Sequence, residues 1–378
     1  MIFTKDLSVK DNYFMMIGFD GSRSFSSKRT GTENYAYQLL KALTKIDHDN
    51  QYVVYTRLSI TSTIVEDIVK GHENFQFKEI KWPRLWTQGG LAIQTFKDNL
   101  DVLFVPAHTL PIIRRPGLKT VVTVHDLGSQ YLPQMHQLKQ RAYLGLMQKF
   151  QLKTASRIIA VSNATKQDLI EKISIKKEKV EVVYEGYNKE IYRNRLKYSD
   201  IEEKKYFIFV GTIQPRKNLE RIIIAFSRQS SVFNLVIAGS KGWLSDDIYK
   251  LPKKLGIENR VKFLGYVPDE QLPALYSGAE ALLFPSLFEG FGLPILEAQA
   301  CGCPVITSNL SSMPEVAGDA AILVDPYSID DIVKGMERLQ GIGYRVQLIK
   351  KGFENIKRFS WEKCAKETLK VILFAKSS

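Results

Sequence analysis

Nowhere in the 378 residues does an apolar run approach the roughly 20 positions needed to cross a bilayer. The opening residues, MIFTKDLSVKDN, lack the basic start and apolar stretch of a secretory leader and read as a loose tail. The expected location is therefore cytoplasmic. Cysteine is scarce: Cys301, Cys303 and Cys364 are all there are. One residue separates the first two, closer than zinc-site spacing, which argues against both a structural zinc and a disulfide framework. Acidic charge is in deficit, with 40 Asp+Glu against 53 Lys+Arg and a net charge of +13. Residues 1–190 carry 27 basic against 19 acidic side chains and residues 191–378 carry 26 against 21, so the excess leans to the first half. Arg114, Arg115, Lys139, Arg141, Lys149, Lys153 and Arg157 supply much of it. The cations are scattered. They form no compact basic stripe with interleaved aromatics, so nucleic acid is not an expected partner. The excess suits an anionic membrane surface, a phosphorylated acceptor or a solvated basic exterior.

What is present is globular. Hydrophobic residues make up 44% and charged residues 25%, enough for two cores, and the length suits two domains. In the first half, apolar strands are expected at residues 13–20, 52–56, 102–105, 121–124, 157–161 and 180–183. Helical spacing marks residues 35–43, 138–153 and 165–172. The second half repeats the alternation, with strands at 206–210, 235–238, 261–263, 281–284 and 304–307. Its helices are expected at 219–227, 246–255, 269–276, 294–300 and 329–339. Strands this apolar, alternating with helices, indicate parallel sheets covered on both faces. The predicted fold is α/β, two Rossmann-like doubly wound domains facing a central cleft, joined by the polar stretch 188–205. Chemistry is then expected in loops that follow strands.

Three such loops stand out. The first, after YFIFV, runs Gly211, Thr212, Ile213, Gln214, Pro215, Arg216, Lys217, Asn218. Gly211 permits a tight turn, and Asn218 is a good N-cap for the following helix. Arg216 and Lys217 beside a helix N-terminus could make a diphosphate clamp, although two exposed loop cations is the commoner fate of such a pair. The second, PSLFEGFGLPILE, follows ALLF. Gly290 and Gly292 allow close backbone approach, and Pro294 fits a first helical turn. Glu289 lies in the loop and Glu297 about one turn into the helix, where each carboxylate can accept from hydroxyls across phosphate-binding amides. The third is Thr123, Val124, His125, Asp126 at a strand end, a histidine placed to reach across the cleft or a satisfied structural pair; His108 in PAHTLP is similar but weaker. Asp246 and Asp247 suggest a metal at first sight, but acids after Ser245 favour a helix start, so no metal is expected.

The segment EGFGLPILEAQACGCPVITSN resembles the signature of the retaining family 4 glycosyltransferases of GT-B fold: a Glu, seven residues, a second Glu. IGFDGSRS…TGTENYAYQLLKAL, VVTVHDL, RIIAVSNATKQDL, VGTIQPRKNLERII, IAGSKGW, RVKFLGYVPDEQLPALYSGAEALLFPS, PEVAGDAAILVDP and FSWEKCAKETLKVI are similar to further family blocks in the family's order. The resemblance implies an acceptor-binding domain over 1–190 and a nucleotide-sugar-binding domain over 191–361. It also implies a C-terminal helix, about 362–378, crossing back to the first domain. Glu289 and His125 would contact the donor sugar and Glu297 the ribose. Arg216 and Lys217 would hold the diphosphate, with Gly31, Gly211, Gly290, Phe291, Gly292 and Leu293 lining the donor. Glu33 and Thr212 depart from residues common in relatives, which leaves Gly31 the firmer transfer in its loop and phosphate neutralisation to Arg216 and Lys217.

The pattern looks most like bacterial mannosyl- and rhamnosyltransferases of surface polysaccharide and lipopolysaccharide synthesis. GDP-mannose is the first expectation for the donor and a UDP- or dTDP-sugar the second. The acceptor would be a glycan or a polyprenyl-linked saccharide, with no cofactor. Front-face attack is expected, the diphosphate assisting acceptor deprotonation. Residues 138–153, mixing apolar and basic side chains, could lie on the inner face of the membrane or pack as a core helix. The loop 82–91 is a candidate acceptor or lid segment. A GT-B-like sugar-nucleotide epimerase, which needs no acceptor, and a nucleic-acid binder are the competing classes.

Overall fold

The computed structural model describes residues 14–25, 31–57, 68, 71–127, 147–193, 206–229 and 232–377. The opening dozen residues, positions 194–205 of the polar stretch, and residues 138–146 with Lys139 and Arg141 lie outside them.

Seven strands form the first sheet: β1 (Met16–Asp20), β2 (Gln51–Thr56), β3 (Phe75–Glu79), β4 (Val102–Val105), β5 (Lys119–Val124), β6 (Arg157–Ala160) and β7 (Val180–Val182), in the order β3-β2-β1-β4-β5-β6-β7. Six form the second: β8 (Tyr206–Val210), β9 (Asn234–Ala238), β10 (Val261–Gly265), β11 (Leu282–Phe284), β12 (Val305–Ser308) and β13 (Ile322–Val324), in the order β10-β9-β8-β11-β12-β13. Pairing is parallel, as in β8 on β9 and β11 on β12. Strands such as VLFV in β4 are buried at every position, the mark of a sheet covered on both faces. Alternate residues of β8 serve two cores: Ile208 and Val210 join the cluster with Phe284 and Ile295, while Phe207 and Phe209 join Ile222 and Phe226.

The sequence missed two strands. β3 reads FQFKE, half polar, because it is an edge strand with only Phe75 fully buried. β13 has three residues and also lies at an edge. Boundaries moved by a few residues elsewhere; the helix expected at 269–276 is Leu272–Gly278, with Pro273 in its first turn.

By packing, the described residues divide into two units. One lies within Met1–Val122, Ala155–Arg157 and Leu369–Ser378, the other within Thr123–Thr154 and Ile158–Thr368. The last helix, Trp361–Ser377, is shared between them. In the first unit its end is held by Lys376 paired with Asp101 at 3.0 Å and by Arg157 over the Phe374 ring at 4.2 Å. The second sheet has the doubly wound order, in which the chain leaves β8 to one side and returns beyond it as β11. Such sheets bind ligands at this switch point, outside the carboxyl ends of the two strands. The loops in question follow β8 and β11.

Candidate active site

The loop after β8 is shaped by two backbones in contact. Gly211 has φ 146°, and a Cβ at Gly239, which follows β9, would lie 1.9 Å from the Gly211 carbonyl oxygen. Only glycine permits that approach. The chain then makes a single turn, Pro215–Lys217, and enters the helix Leu219–Ser227 through Asn218.

Asn218 corrects the sequence reading. It adopts the left-handed conformation, φ 61°, and its side chain caps no helical amide. Its Nδ2 instead donates to the Pro285 oxygen at 2.9 Å and the Pro326 oxygen at 2.7 Å, tying the β8 loop to the β11 loop. Asparagine tolerates this backbone better than most residues. Ser245 likewise gives no side-chain cap to the helix that opens at Asp246, but donates to the Gly242 oxygen at 2.9 Å.

The β11 loop closes on the same point. Leu287 N donates to the Arg216 oxygen at 2.8 Å and Arg216 Nη1 to the Phe288 oxygen at 3.1 Å. Arg216 Nη1 also meets Glu289 Oε2 at 2.6 Å, while Lys217 Nζ lies 2.5 Å from Oε1 of the same carboxylate. Lys217 stands over the Phe284 ring at 4.7 Å. Glu289 and Lys217 are both buried. Burial alone would raise the Glu289 pKa; the charges of Arg216 and Lys217 outweigh it and hold the carboxyl at about 2. Burial lowers Lys217 to about 8 against the attraction of Glu289, with Arg216 adding repulsion. The two cations thus share one buried carboxylate at a switch point, and the charge of Asp126 acts on both.

Serine hydroxyls hold the Glu289 backbone. Ser311 Oγ donates to the Glu289 oxygen at 2.6 Å, and Ser312 Oγ to the Glu289 and Phe291 oxygens at 3.0 and 2.7 Å. Ser162 Oγ donates to the Gly290 oxygen at 2.7 Å, and a Cβ on Gly290 would lie 1.7 Å from the His125 oxygen. This contact brings His125 to the Glu289 loop. Its Nδ1 faces Glu185 Oε1 at 3.0 Å, both residues buried. Gly292, φ 116°, opens the helix Leu293–Ala300, with Pro294 in its first turn. Glu297 is half-buried on that helix and accepts from Tyr276 Oη at 3.0 Å. Burial, reinforced by the Asp269 charge, pushes Glu297 up to about 7.

Residues 191–354 match the family described as Glycosyl transferases group 1, and residues 29–191 match Glycosyltransferase Family 4. The chain is 32% identical over 263 residues to O-antigen chain mannosyltransferase B of Escherichia coli, covering 66% of this chain and 69% of that protein. The chain belongs to glycosyltransferase family 4. As such it transfers a hexosyl group from a nucleotide-sugar donor to a saccharide acceptor. The transferase is also 30% identical over 244 residues to O-antigen chain mannosyltransferase RfbU of Salmonella typhimurium, covering 64% of this chain and 66% of that one. Its fold is that of sucrose-phosphate synthase from Thermosynechococcus elongatus, a GT-B neighbour with a TM-score of 0.76 at 20% identity, covering 96% of this chain and 99% of that one.

Within the transferase, Arg216, Lys217, Glu289, Gly290, His125 and Glu297 all lie in the second packing unit, with Phe291, Gly292 and Leu293 between the two glutamates. Gly31 lies in the first unit, where it opens a helix and a Cβ would meet nothing within 4 Å. Glu33 pairs with Arg23 at 3.1 Å. Sequence reasoning did not reach Glu185, Tyr276, Ser311 or Ser312, because each meets its partner across many residues. The glycine spacing of IAGSKGW was the one local sign of Gly239 and Gly242, whose Cβ atoms would strike the backbone at Gly211 and Ile213. Among the described residues no three His, Cys, Asp or Glu converge as a metal site. Cys301, Cys303 and Cys364 are buried and outside any disulfide.

Proposed function

We propose that the transferase is a retaining mannosyltransferase, taking mannose from GDP-mannose and adding it to a polyprenyl-linked saccharide of a surface polysaccharide in the cytoplasm, with no metal ion. One observation carries this reading: Arg216 and Lys217 converge on a single buried carboxylate at the switch point. A donor diphosphate would take over the two cations and turn Glu289 toward the sugar hydroxyls. Amides near Phe291, Gly292 and Leu293, at the positive end of a helix, would meet phosphate oxygens. Glu297 would accept from the ribose and His125 would stand against the sugar. The mannose named in the relatives supports the sugar.

In the step itself the bond from the sugar C1 to the diphosphate oxygen breaks, and its electron pair leaves with the diphosphate. Cations fixed beforehand stabilise that charge where it develops, and they need no rearrangement at the moment of reaction. The acceptor oxygen bonds to C1 on the same face, and its proton passes to the departing diphosphate. On this reading Glu289→Ala chiefly lowers turnover and Glu297→Ala chiefly weakens donor binding.

The test is thermal stability with GDP-mannose, UDP-sugars and dTDP-sugars, followed by product analysis. A donor at about 100 times its Kd stabilises by about 2.7 kcal/mol. Stabilisation by a UDP- or dTDP-sugar alone would reassign the donor, and a product with inverted anomeric configuration would overturn retention. Conversion of donor without acceptor would make the protein an epimerase.

A further inference from the structure

The carboxylate read above as the ribose acceptor has protein partners of its own. Glu297 lies on the helix Leu293–Ala300, and its Oε2 accepts from Tyr276 Oη at 3.0 Å. Tyr276 belongs to the helix Leu272–Gly278 and is fully buried. A second tyrosine joins it. Tyr192 is also buried, and its ring stands 6.2 Å from that of Tyr276 at 64°, edge to face. A turn that begins at Asn188 holds Tyr192 in place. Tyr192 N donates to the Asn188 oxygen at 2.8 Å, and Asn188 Oδ1 accepts from Glu190 N at 3.0 Å. Both rings belong to the apolar cluster that contains Leu296, the residue before Glu297. All three residues lie in the second packing unit.

The two hydroxyls stay protonated across the working range of pH. Burial first, and then the charge of Glu297, pushes both well above the ordinary tyrosine value. Each therefore remains a hydrogen-bond donor. Asp269 and the Cys301 thiol add to the rise at Tyr192, and Cys301 adds to it at Tyr276. At Glu297 the two tyrosines work against burial, Asp269 works with it, and the Lys217 charge favours the ionised form. A neighbour shows what a purely structural hydroxyl does. Tyr206 Oη donates to the Leu275 backbone oxygen at 2.7 Å, one residue before Tyr276, and one such acceptor satisfies a buried hydroxyl. Tyr276 instead meets a titratable, half-buried carboxylate that also feels the diphosphate-binding lysine.

Resting on the ribose role given to Glu297 above, we propose that Tyr276 and Tyr192 are positioning residues for its carboxylate. By fixing it, they set the preference of the transferase for a ribonucleoside diphosphate over the 2′-deoxy counterpart. An ionised carboxylate accepts about four hydrogen bonds. Two tyrosine hydroxyls and the two hydroxyls of a ribose fill that number, and a 2′-deoxyribose leaves one position empty. A tethered side chain needs no further ordering when the donor binds. It also cannot turn away to water when a hydroxyl is missing, so the unpaired acceptor counts against the wrong sugar.

The test is calorimetric binding of GDP and 2′-deoxy-GDP, with UDP and 2′-deoxy-UDP as a second pair, to the full chain and its variants. Wild type should bind the ribonucleotide of its pair at least about tenfold more tightly than the deoxynucleotide. Tyr276→Phe should weaken ribonucleotide binding about fivefold and cut the preference to about threefold. In the transfer reaction it should raise donor KM with kcat within about twofold of wild type. It should also move the acid-side ionisation in kcat/KM upward, because a hydrogen bond that favours the ionised carboxylate is gone. Tyr192→Phe should act in the same direction. Tyr206→Phe deletes a neighbouring hydroxyl whose partner is backbone, and should leave the preference and the pH profile as in wild type. Glu297→Ala should bind both members of a pair alike. If Glu297→Ala keeps the preference, the ribose role falls and the positioning role with it. If Glu297→Ala loses the preference while Tyr276→Phe keeps both it and the wild-type pH profile, the ribose role stands and the positioning role is overturned. Equal affinity of wild type for both members overturns it too, as does an equal loss in Tyr206→Phe, which would make the effect one of packing.

Discussion

The donor specificity constant, kcat/KM, should be bell-shaped in pH, with two named groups setting its limbs. On the proposed role Glu297 accepts most strongly from ribose hydroxyls when ionised, and burial, with the Asp269 charge, raises it to about 7. Lys217 must be protonated to hold a diphosphate, and burial lowers it to about 8. Glu289, held at about 2, stays ionised throughout. With those values about 60% of molecules carry both groups in working form near pH 7.5 and about 9% near pH 6 or pH 9, so kcat/KM falls about sixfold on either side. Glu297→Gln should abolish the acid limb, because the amide does not titrate. Lys217→Arg should remove the alkaline limb, because a guanidinium stays charged. Initial rates at limiting donor, with acceptor saturating, measure both. Persistence of the acid limb in Glu297→Gln would refute the assignment of that ionisation, and with it the ribose role. The sign for folding runs the other way. A carboxyl raised above its ordinary 4.5 favours the protonated folded form, so its contribution to stability declines as pH rises through about 7.

Glu289→Gln should destabilise the free enzyme by about 3 kcal/mol, because it leaves Arg216 and Lys217 without their shared counter-charge, and a nucleoside diphosphate should restore much of the loss. Paired melting curves with and without nucleotide measure it. In the wild type the same carboxylate, lowered from 4.5 to about 2, stabilises fully above about pH 4.5 and loses that contribution as pH falls toward 2. Gly290→Ala places a carbon 1.7 Å from the His125 oxygen; the loops must part, and a loss of about 3 kcal/mol with near-complete loss of activity is expected in melting and turnover assays. Glu185→Gln keeps the volume but removes the charge facing His125 Nδ1; a loss of about 1.5 kcal/mol of charge-assisted hydrogen bonding would lower kcat about tenfold with donor KM little changed. Activity should survive excess EDTA; loss restored by magnesium or manganese would overturn the metal-free proposal.

Much of this was legible locally. Residues such as YFIFV and VLFV are apolar at successive positions because both faces of a parallel sheet are covered, so their strands could be read from composition alone. The spacing of Glu289, Gly290, Gly292, Pro294 and Glu297 marks a loop entering a helix, and the helix is there. The failures have physical causes. FQFKE was missed because an edge strand need bury only one residue of five. Asn218 was read as a cap because asparagine before a helix usually is one; two carbonyls, at Pro285 and Pro326, take its amide instead.

The sequence by itself determined the alternation of strands and helices, the glycines where backbone turns or approaches, and the family. Periodicity and turn chemistry act over a few residues and need no knowledge of neighbours. Only the tertiary structure decided that Arg216 and Lys217 share the carboxylate of Glu289, that His125 faces Glu185, and that Tyr276 donates to Glu297. Those partners lie far apart in the chain, and their meeting depends on strand order: β11 returns beside β8, carrying its loop to the cations that follow β8.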